Sequence, residues 1–193
     1  MSEQPRSDGV VTLRPWTAAD TPAIVDCLDG DDEISRWLDQ IPQPYALADA
    51  VAYINGCAGK AGTTSSGRRR ERRLGGIGEQ AFALADASDG RLLGSIGLRW
   101  NEEHDVAEVG YWLRSDARGR GLMTRALVLV TRIALEEGAA RVQLRAAVGN
   151  DASRRVAEKA GFRLEGVLRS AHWNPRQQRR VDWAMYSLLP DDA

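Results

Sequence analysis

Apolar and polar residues alternate with period two in several short runs and follow a helical period in several longer ones. The order of these runs organises the chain. Residues 10–14 alternate and predict a first strand. Thr17-x-x-Asp20 has capping-box spacing with Asp in place of Glu, and predicts a helix through Leu28 with Ile24, Val25 and Leu28 inward. Ile34, Trp37 and Leu38 predict a short second helical turn, interrupted by Pro42 and Pro44. Residues 46–54 read as a helix with Leu47, Val51 and Ile54 on one stripe and Gly56 placed to end it. Strands follow over 80–85 and 92–100, joined by the hairpin turn Ala87-Ser88-Asp89-Gly90. After a turn at 101–105, a central strand runs from Val106, with Val109, Tyr111 and Leu113 alternating with Gly110 and Trp112. Helical periodicity then places Leu122, Ala126, Leu129, Val130 and Ile133 on one face. Residues 141–148 predict a strand with Val142, Leu144 and Ala146 together. Asn150 can cap a helix carrying Val156 and Ala160 inward and stopping at Gly161. The last strands are 162–169 and 181–189, separated by a turn near Asn174-Pro175.

This order predicts an α/β (α+β) domain: a mixed, mostly antiparallel twisted sheet of about seven strands with helices on both faces. No repeat or linker divides it, so residues 1–193 read as a single domain. One stretch, 59–78, is rich in Gly, Ser, Thr and Arg and reads as a mobile loop. It contains Arg68-Arg69-Arg70-Glu71-Arg72-Arg73, which suits RNA or an acidic partner. Arginine is the chain's default cation, however. Lys60 and Lys159 are the lysines, so 24 of the 26 basic residues are Arg.

Between the central strand and its helix lies Arg118-Gly119-Arg120-Gly121. Glycines there permit close ligand approach and backbone conformations that side chains disfavour. The helix that follows leaves its first N–H groups unpaired at the positive end of its dipole, which makes an anion site suited to phosphate. Arg118 and Arg120 would add charge at its rim. Neither Gly-x-x-x-x-Gly-Lys-Ser/Thr nor Gly-x-Gly-x-x-Gly is present, so the two common nucleotide fingerprints do not account for it.

A net charge of −1 gives no global pull toward DNA or an anionic membrane. The first eight residues lack an apolar run, and no stretch has the ~20 apolar residues of a bilayer span. These features suggest a bacterial-type cytoplasmic protein. Cys27 and Cys57 read as small core residues, and no cluster of residues suggests a metal site.

Arg118-x-x-Gly121 after an extended strand resembles the turn of the GNAT superfamily of N-acetyltransferases, whose signature is Arg/Gln-x-x-Gly-x-Gly/Ala. Met123 stands where Gly or Ala is usual, and Gly121-Leu122-Met123 resembles the RimJ/RimL branch that acetylates N-termini of ribosomal proteins. A second segment, Asn150-x-x-Ser153-x-x-Val156-Ala157-Glu158-Lys159-Ala160-Gly161-Phe162-x-x-Glu165-Gly166, resembles that branch almost position by position. The element order resembles the superfamily over 10–189.

The resemblance implies acetyl-coenzyme A as cosubstrate. Its pyrophosphate would lie in the turn formed by Arg114, Arg118, Gly119, Arg120, Gly121, Leu122, Met123 and Thr124. Its pantetheine arm would lie along Tyr111, Trp112 and Leu113, with Asn150 and Ser153 beside it. A backbone N–H near Leu113 would bind the thioester carbonyl as charge develops on it. The amine must lose a proton and the leaving thiolate must gain one. Glu108 and His172 are the candidate bases, His172 lying nineteen residues after Ser153 where relatives carry a carboxylate. Ser153 is the first candidate acid, with Tyr186 an alternative that reads more naturally as core. His104 reads as a solvated turn residue. Met123 and the residues around Trp100, Trp112 and Trp173 could shape an acyl pocket.

The leading expectation is acetyl transfer to a primary amine, a protein N-terminus of the ribosomal-protein type, by direct attack on the thioester. A small amine such as an antibiotic or polyamine, or transfer of a larger acyl group, is the alternative within enzymes. A non-catalytic coenzyme-binding regulator using the 68–73 arginines on RNA or ribosome is the alternative of another class. A monomer or homodimer suits either.

Overall fold

The structure is a computed structural model and describes residues 5–58 and 78–192. Eight strands form one sheet: β1 (Arg6–Ser7), β2 (Val11–Arg14), β3 (Gly78–Asp86), β4 (Leu92–Asn101), β5 (Val106–Leu113), β6 (Arg141–Ala147), β7 (Arg163–Asn174) and β8 (Arg179–Leu188). Their spatial order is β1-β2-β3-β4-β5-β6-β8-β7. The β5–β6 pair is parallel and the other pairs are antiparallel. Helices α1 (Thr21–Leu28), α2 (Asp32–Trp37) and α3 (Leu47–Ala58) come between β2 and β3. Helix α4 (Leu122–Glu136) makes the β5–β6 crossover, and α5 (Asp151–Lys159) joins β6 to β7. The expected mixed sheet with helices on both faces is what forms.

Two cores result. On one face α4 and α5 pack Leu127, Val130 and Ala157 against Val109, Leu144 and Tyr186. On the other, Ile24, Leu28 and Ile54 of α1 and α3 meet Leu92, Trp112 and Trp16. Apolar faces of both helix groups are thereby removed from water, the main driving force for this arrangement.

Several expectations are corrected. Among the described residues the sheet has eight strands where about seven were expected, because β1 pairs Arg6 with Leu13 and Ser7 with Thr12. Its two residues are exposed, so no alternation marks them. Strand β7 continues to Asn174 through irregularities at Leu164/Gly166 and Leu168/His172, which break the period-two pattern. In α3, Leu47 and Val51 are 59% and 43% exposed, and the buried side belongs to Ala50 and Ile54. That helix also runs through Gly56 to Ala58. Of the 59–78 stretch, Gly78 begins β3. The remainder, with the 68–73 arginines, lies outside the described residues. No helix among the described residues is long and apolar enough to cross a membrane.

The expected Thr17–Asp20 capping box forms, and it opens a 3-10 turn over residues 18–20 that leads into α1. Asp20 turns its carboxylate back to accept from the Thr17 N–H (2.9 Å), the Thr17 hydroxyl (2.9 Å) and both terminal nitrogens of Arg14 (2.8 and 2.7 Å). Burial alone would raise its pKa, but these hydrogen bonds outweigh that and hold the carboxyl below its usual value. The pair joins β2 to α1 with the Asp20 side chain 9% exposed.

Removing Asp20 strands a partly buried guanidinium. Asp20→Ala should lower unfolding free energy by about 2–4 kcal/mol at pH 7 in urea titrations. Because the folded pKa is depressed, this stability is present above the ordinary Asp value of ~3.9 and is lost as pH falls through the folded pKa. The gap between wild type and variant should therefore narrow below about pH 4.

Candidate active site

Strands β5 and β6 pair from Val106↔Arg141 to Val109↔Leu144 and then part. On their outer sides each stays in the sheet: β5 keeps β4 to Gly94↔Leu113, and β6 keeps β8 to Ala147↔Trp183. The close β4–β5 approach is enforced at Gly94, where a Cβ would meet the Trp112 carbonyl oxygen at 2.3 Å. The result is a fork in the sheet. Residues 110–113 form one arm with a free backbone edge, and 145–147 form the other.

Glu108 clasps the base of the fork. Its Oε2 accepts from Gln143 Nε2 at 2.9 Å, and its Oε1 is paired with Arg145 across the opening. The Arg145 guanidinium lies 4.4 Å from the Trp183 ring centre. Trp183 in turn stacks on His172, with centroids 5.0 Å apart at 19°. His172 Nε2 is 2.8 Å from Asp39 Oδ2. The two candidate bases, far apart in sequence, thus belong to one chain of contacts from the fork to the loop after α2.

Tyr111 points to the opposite face, that of α4 and α5. Its hydroxyl is 2.8 Å from Ser153 Oγ. Asn150 caps α5 by accepting from the Ser153 N–H at 3.0 Å, which fixes the backbone of that first turn. Burial pushes Tyr111 up to about 12, against the lowering effect of the Ser153 hydrogen bond, so it remains a phenol at physiological pH. Tyr186 is fully buried, donating to Glu158 at 2.9 Å and accepting from Arg154 at 3.2 Å. His104 lies exposed in the β4–β5 turn.

Arg114 leads from β5 into a 3-10 turn over Ser115–Ala117, its guanidinium held by Asp116 and the Leu92 carbonyl. Gly119 and Gly121 then adopt φ of +76° and +73°. A Cβ at either would meet open space, so backbone conformation rather than crowding calls for glycine. Gly121 is the N-cap of α4 and supplies no side-chain cap, leaving the N–H groups of the first turn (Leu122, Met123, Thr124) to a ligand. Arg120 is exposed beside them. Arg118 turns away: its Nε donates to the Leu113 carbonyl at 3.1 Å and its Nη2 pairs with Asp31 at 2.5 Å. Asp31 itself caps α2 through the Ile34 N–H. Arg118 therefore ties the turn to α2 instead of supplying charge at its rim. Met123, Trp100 and Trp112 are 4%, 7% and 8% exposed within the cores, whereas Trp173 is 52% exposed.

Residues 11–163 match the family described as "Acetyltransferase (GNAT) domain". The chain belongs to the GNAT acetyltransferase family. It is 38% identical over 103 residues to the "Putative ribosomal N-acetyltransferase YdaF" of Bacillus subtilis (strain 168), covering 52% of this chain and 55% of that protein. It is 35% identical over 130 residues to the "Probable N-acetyltransferase YjcK" of the same organism, covering 63% and 68%. Its fold is similar to that of a solved RimL, described as a "Ribosomal L7/L12 alpha-N-protein acetyltransferase" in complex with coenzyme A. That match has a TM-score of 0.80 at 18% identity and covers 98% of this chain and all of that one. The chain thus spans little more than half the length of YdaF.

Members of the GNAT family draw an acetyl group from acetyl-coenzyme A, and the residues here fit that donor. The uncapped α4 N-terminus suits a pyrophosphate, and the free β5 edge suits the amide-bearing pantetheine arm. Asp39, Arg145 and Trp183 were not singled out by sequence reasoning. Asp39 sits in an irregular segment with no local pattern, and the other two join the site through strand register alone.

Gly121→Val forces a branched side chain into a left-handed backbone at the phosphate turn. Calorimetric titration should show coenzyme A affinity reduced at least ~10-fold, with a stability loss of only about 1–2 kcal/mol.

Proposed function

We propose that this protein transfers the acetyl group of acetyl-coenzyme A to the α-amino group of a protein N-terminus, of the ribosomal-protein type, in the cytoplasm. The observation that carries this is the fork. One face of it presents a phosphate turn and a Tyr111–Ser153 hydroxyl pair, and the other presents His172 braced by Asp39. The similarity to YdaF and RimL, both named for ribosomal acetyl transfer, supports the ribosomal class of acceptor.

In this reading the α4 N–H groups and Arg120 hold the pyrophosphate. The 110–113 edge and Asn150 orient the pantetheine arm. A backbone N–H near Leu113 takes the charge that develops on the carbonyl oxygen. Asp39 accepts from His172 Nε2–H and leaves Nδ1 to receive the proton of the attacking amine, directly or through water. The C–N bond forms, the C–S bond breaks, and Ser153 passes its hydroxyl proton to the thiolate as it takes the proton of the Tyr111 hydroxyl, which solvent restores. Both Glu108 oxygens are already engaged by Gln143 and Arg145, so Glu108 acts as the clasp of the fork.

An α-amine, with a pKa of ~7.7–8.0, is roughly one-tenth neutral at pH 7, whereas a lysine at ~10.4 is neutral less than about once in a thousand. A single imidazole is therefore sufficient assistance for an N-terminus.

Thiol release with N-terminal peptides, a lysine side-chain peptide and small amines tests the reading. Peptide-dependent release should fall ~10²–10⁴-fold in Ser153→Ala and ~10²-fold in His172→Gln. Asp39→Asn should lower kcat while leaving the KM for acetyl-coenzyme A near wild type. Release with small amines alone would replace the N-terminal acceptor with a small one. Coenzyme binding with no turnover of any amine would favour the regulator.

A further inference from the structure

Gly110 stands in the middle of β5, where a glycine weakens the strand unless something requires it. Neither conformation nor crowding does. Its φ is not positive, and an added Cβ would meet open space. Gly97, its partner across the β4–β5 ladder, is different: a Cβ there would come within 2.9 Å of the Gln80 carbonyl oxygen, so strand packing calls for that glycine. Gly110 is also exposed, although Val109 beside it is buried. A strand glycine with no internal reason marks a place where another backbone or a ligand comes close.

The register says where that place is. Val109, Tyr111, Leu144 and Ala146 pack toward α4 and α5, so Gly110 and Arg145 share the other face of the sheet. They are the first residues past the last β5–β6 pair, Val109↔Leu144, one on each arm of the fork. On this face Ser95 pairs with Trp112, Gly97 with Gly110, and Arg99 with Glu108. The middle row has no side chain. It leaves a bare strip between buried Trp112 and the Glu108–Arg145 pair, suited to a main chain lying close on the sheet. Arg145 supplies a donor beside it. Its Nη2 is taken by Glu108, and its guanidinium lies over Trp183, which stacks on His172. Among the described residues Nε and Nη1 have no acceptor. Nε is closed off from solvent, so Nη1 is the donor open to a ligand.

We propose that Gly110 and Arg145 select the acceptor by its main chain: the first peptide unit crosses the strip at Gly110, and its carbonyl oxygen accepts from Arg145 Nη1, which brings the α-amine toward His172. This rests on the reading of the reaction as N-terminal acetylation.

The test uses the full chain with an N-terminal peptide, alaninamide and isopropylamine. The last two share the amine-bearing carbon and differ in the carbonyl group. Rates are compared per neutral amine, which removes the difference in basicity. Gly110→Ala should melt no lower than wild type and keep the KM for acetyl-coenzyme A, because the backbone edge offered to the donor is retained. Its kcat/KM for the peptide should fall ~10-fold, and that of Gly110→Val ~10²-fold, as a chain lifted off the sheet misplaces the amine. Wild type should favour alaninamide over isopropylamine ~10-fold, as expected of a hydrogen bond from a charged group. That preference should collapse toward unity in Glu108→Gln/Arg145→Gln, which strands no carboxylate, and persist in Glu108→Gln. Unchanged peptide turnover in Gly110→Ala would overturn the proposal. So would a lower melting temperature or a raised KM for acetyl-coenzyme A in that variant, or a preference for alaninamide that survives the double variant. In each of these cases the wild type still acetylates the peptide, so N-terminal acetylation stands. A wild type that turns over isopropylamine but neither the peptide nor alaninamide would overturn both.

Discussion

The site proposed for this fold depends on a ladder that stops early. Parallel pairing of β5 with β6 ends at Val109 and Leu144, although both strands continue in the sheet on their other sides. A backbone edge inside a sheet is costly unless its hydrogen-bonding groups are met by water or a ligand. Pantetheine, with its own amides, is a ligand of the kind such an edge can pair with. The fork is held open by strong outer pairing, including the close β4–β5 approach at Gly94, and held together at its base by Glu108.

In the proposed reaction the fork separates two chemical tasks. The α4–α5 side carries the phosphate turn and the Tyr111–Ser153 pair, suited to holding a donor and protonating a leaving thiolate. The side toward α2 carries Arg145, Trp183, His172 and Asp39, suited to an arriving amine. Arg118 couples the two by tying the phosphate turn to the N-cap of α2. The α2 side and the glycine turn are thereby fixed to one another by an ion pair that is half-shielded from water.

Much of this was legible before any coordinates. Period-two runs and helical runs placed the main elements, and Gly119, Gly121, Asn150 and Ser153 marked the turn and the α5 cap through local rules that act over a few residues. What escaped is what depends on distant partners. Leu47 and Val51 satisfy a helical stripe, but tertiary packing chose Ala50 and Ile54 for the interior. Arg118 reads as a phosphate ligand until Asp31, 87 residues away, is seen to hold it. Glu108 reads as a candidate base until the register brings Gln143 and Arg145 beside it. Asp39 carries no signal, because its partner His172 is 133 residues distant.

The central claim is that the β5–β6 fork receives the coenzyme. Amide hydrogen exchange with and without coenzyme A tests it residue by residue. The account predicts added protection at 110–113, at 122–124 and at 150–153, with β2, β3 and the α1–α3 core unchanged. Protection that spares 110–113 and 122–124, or that gathers on the α1–α3 face, would contradict it.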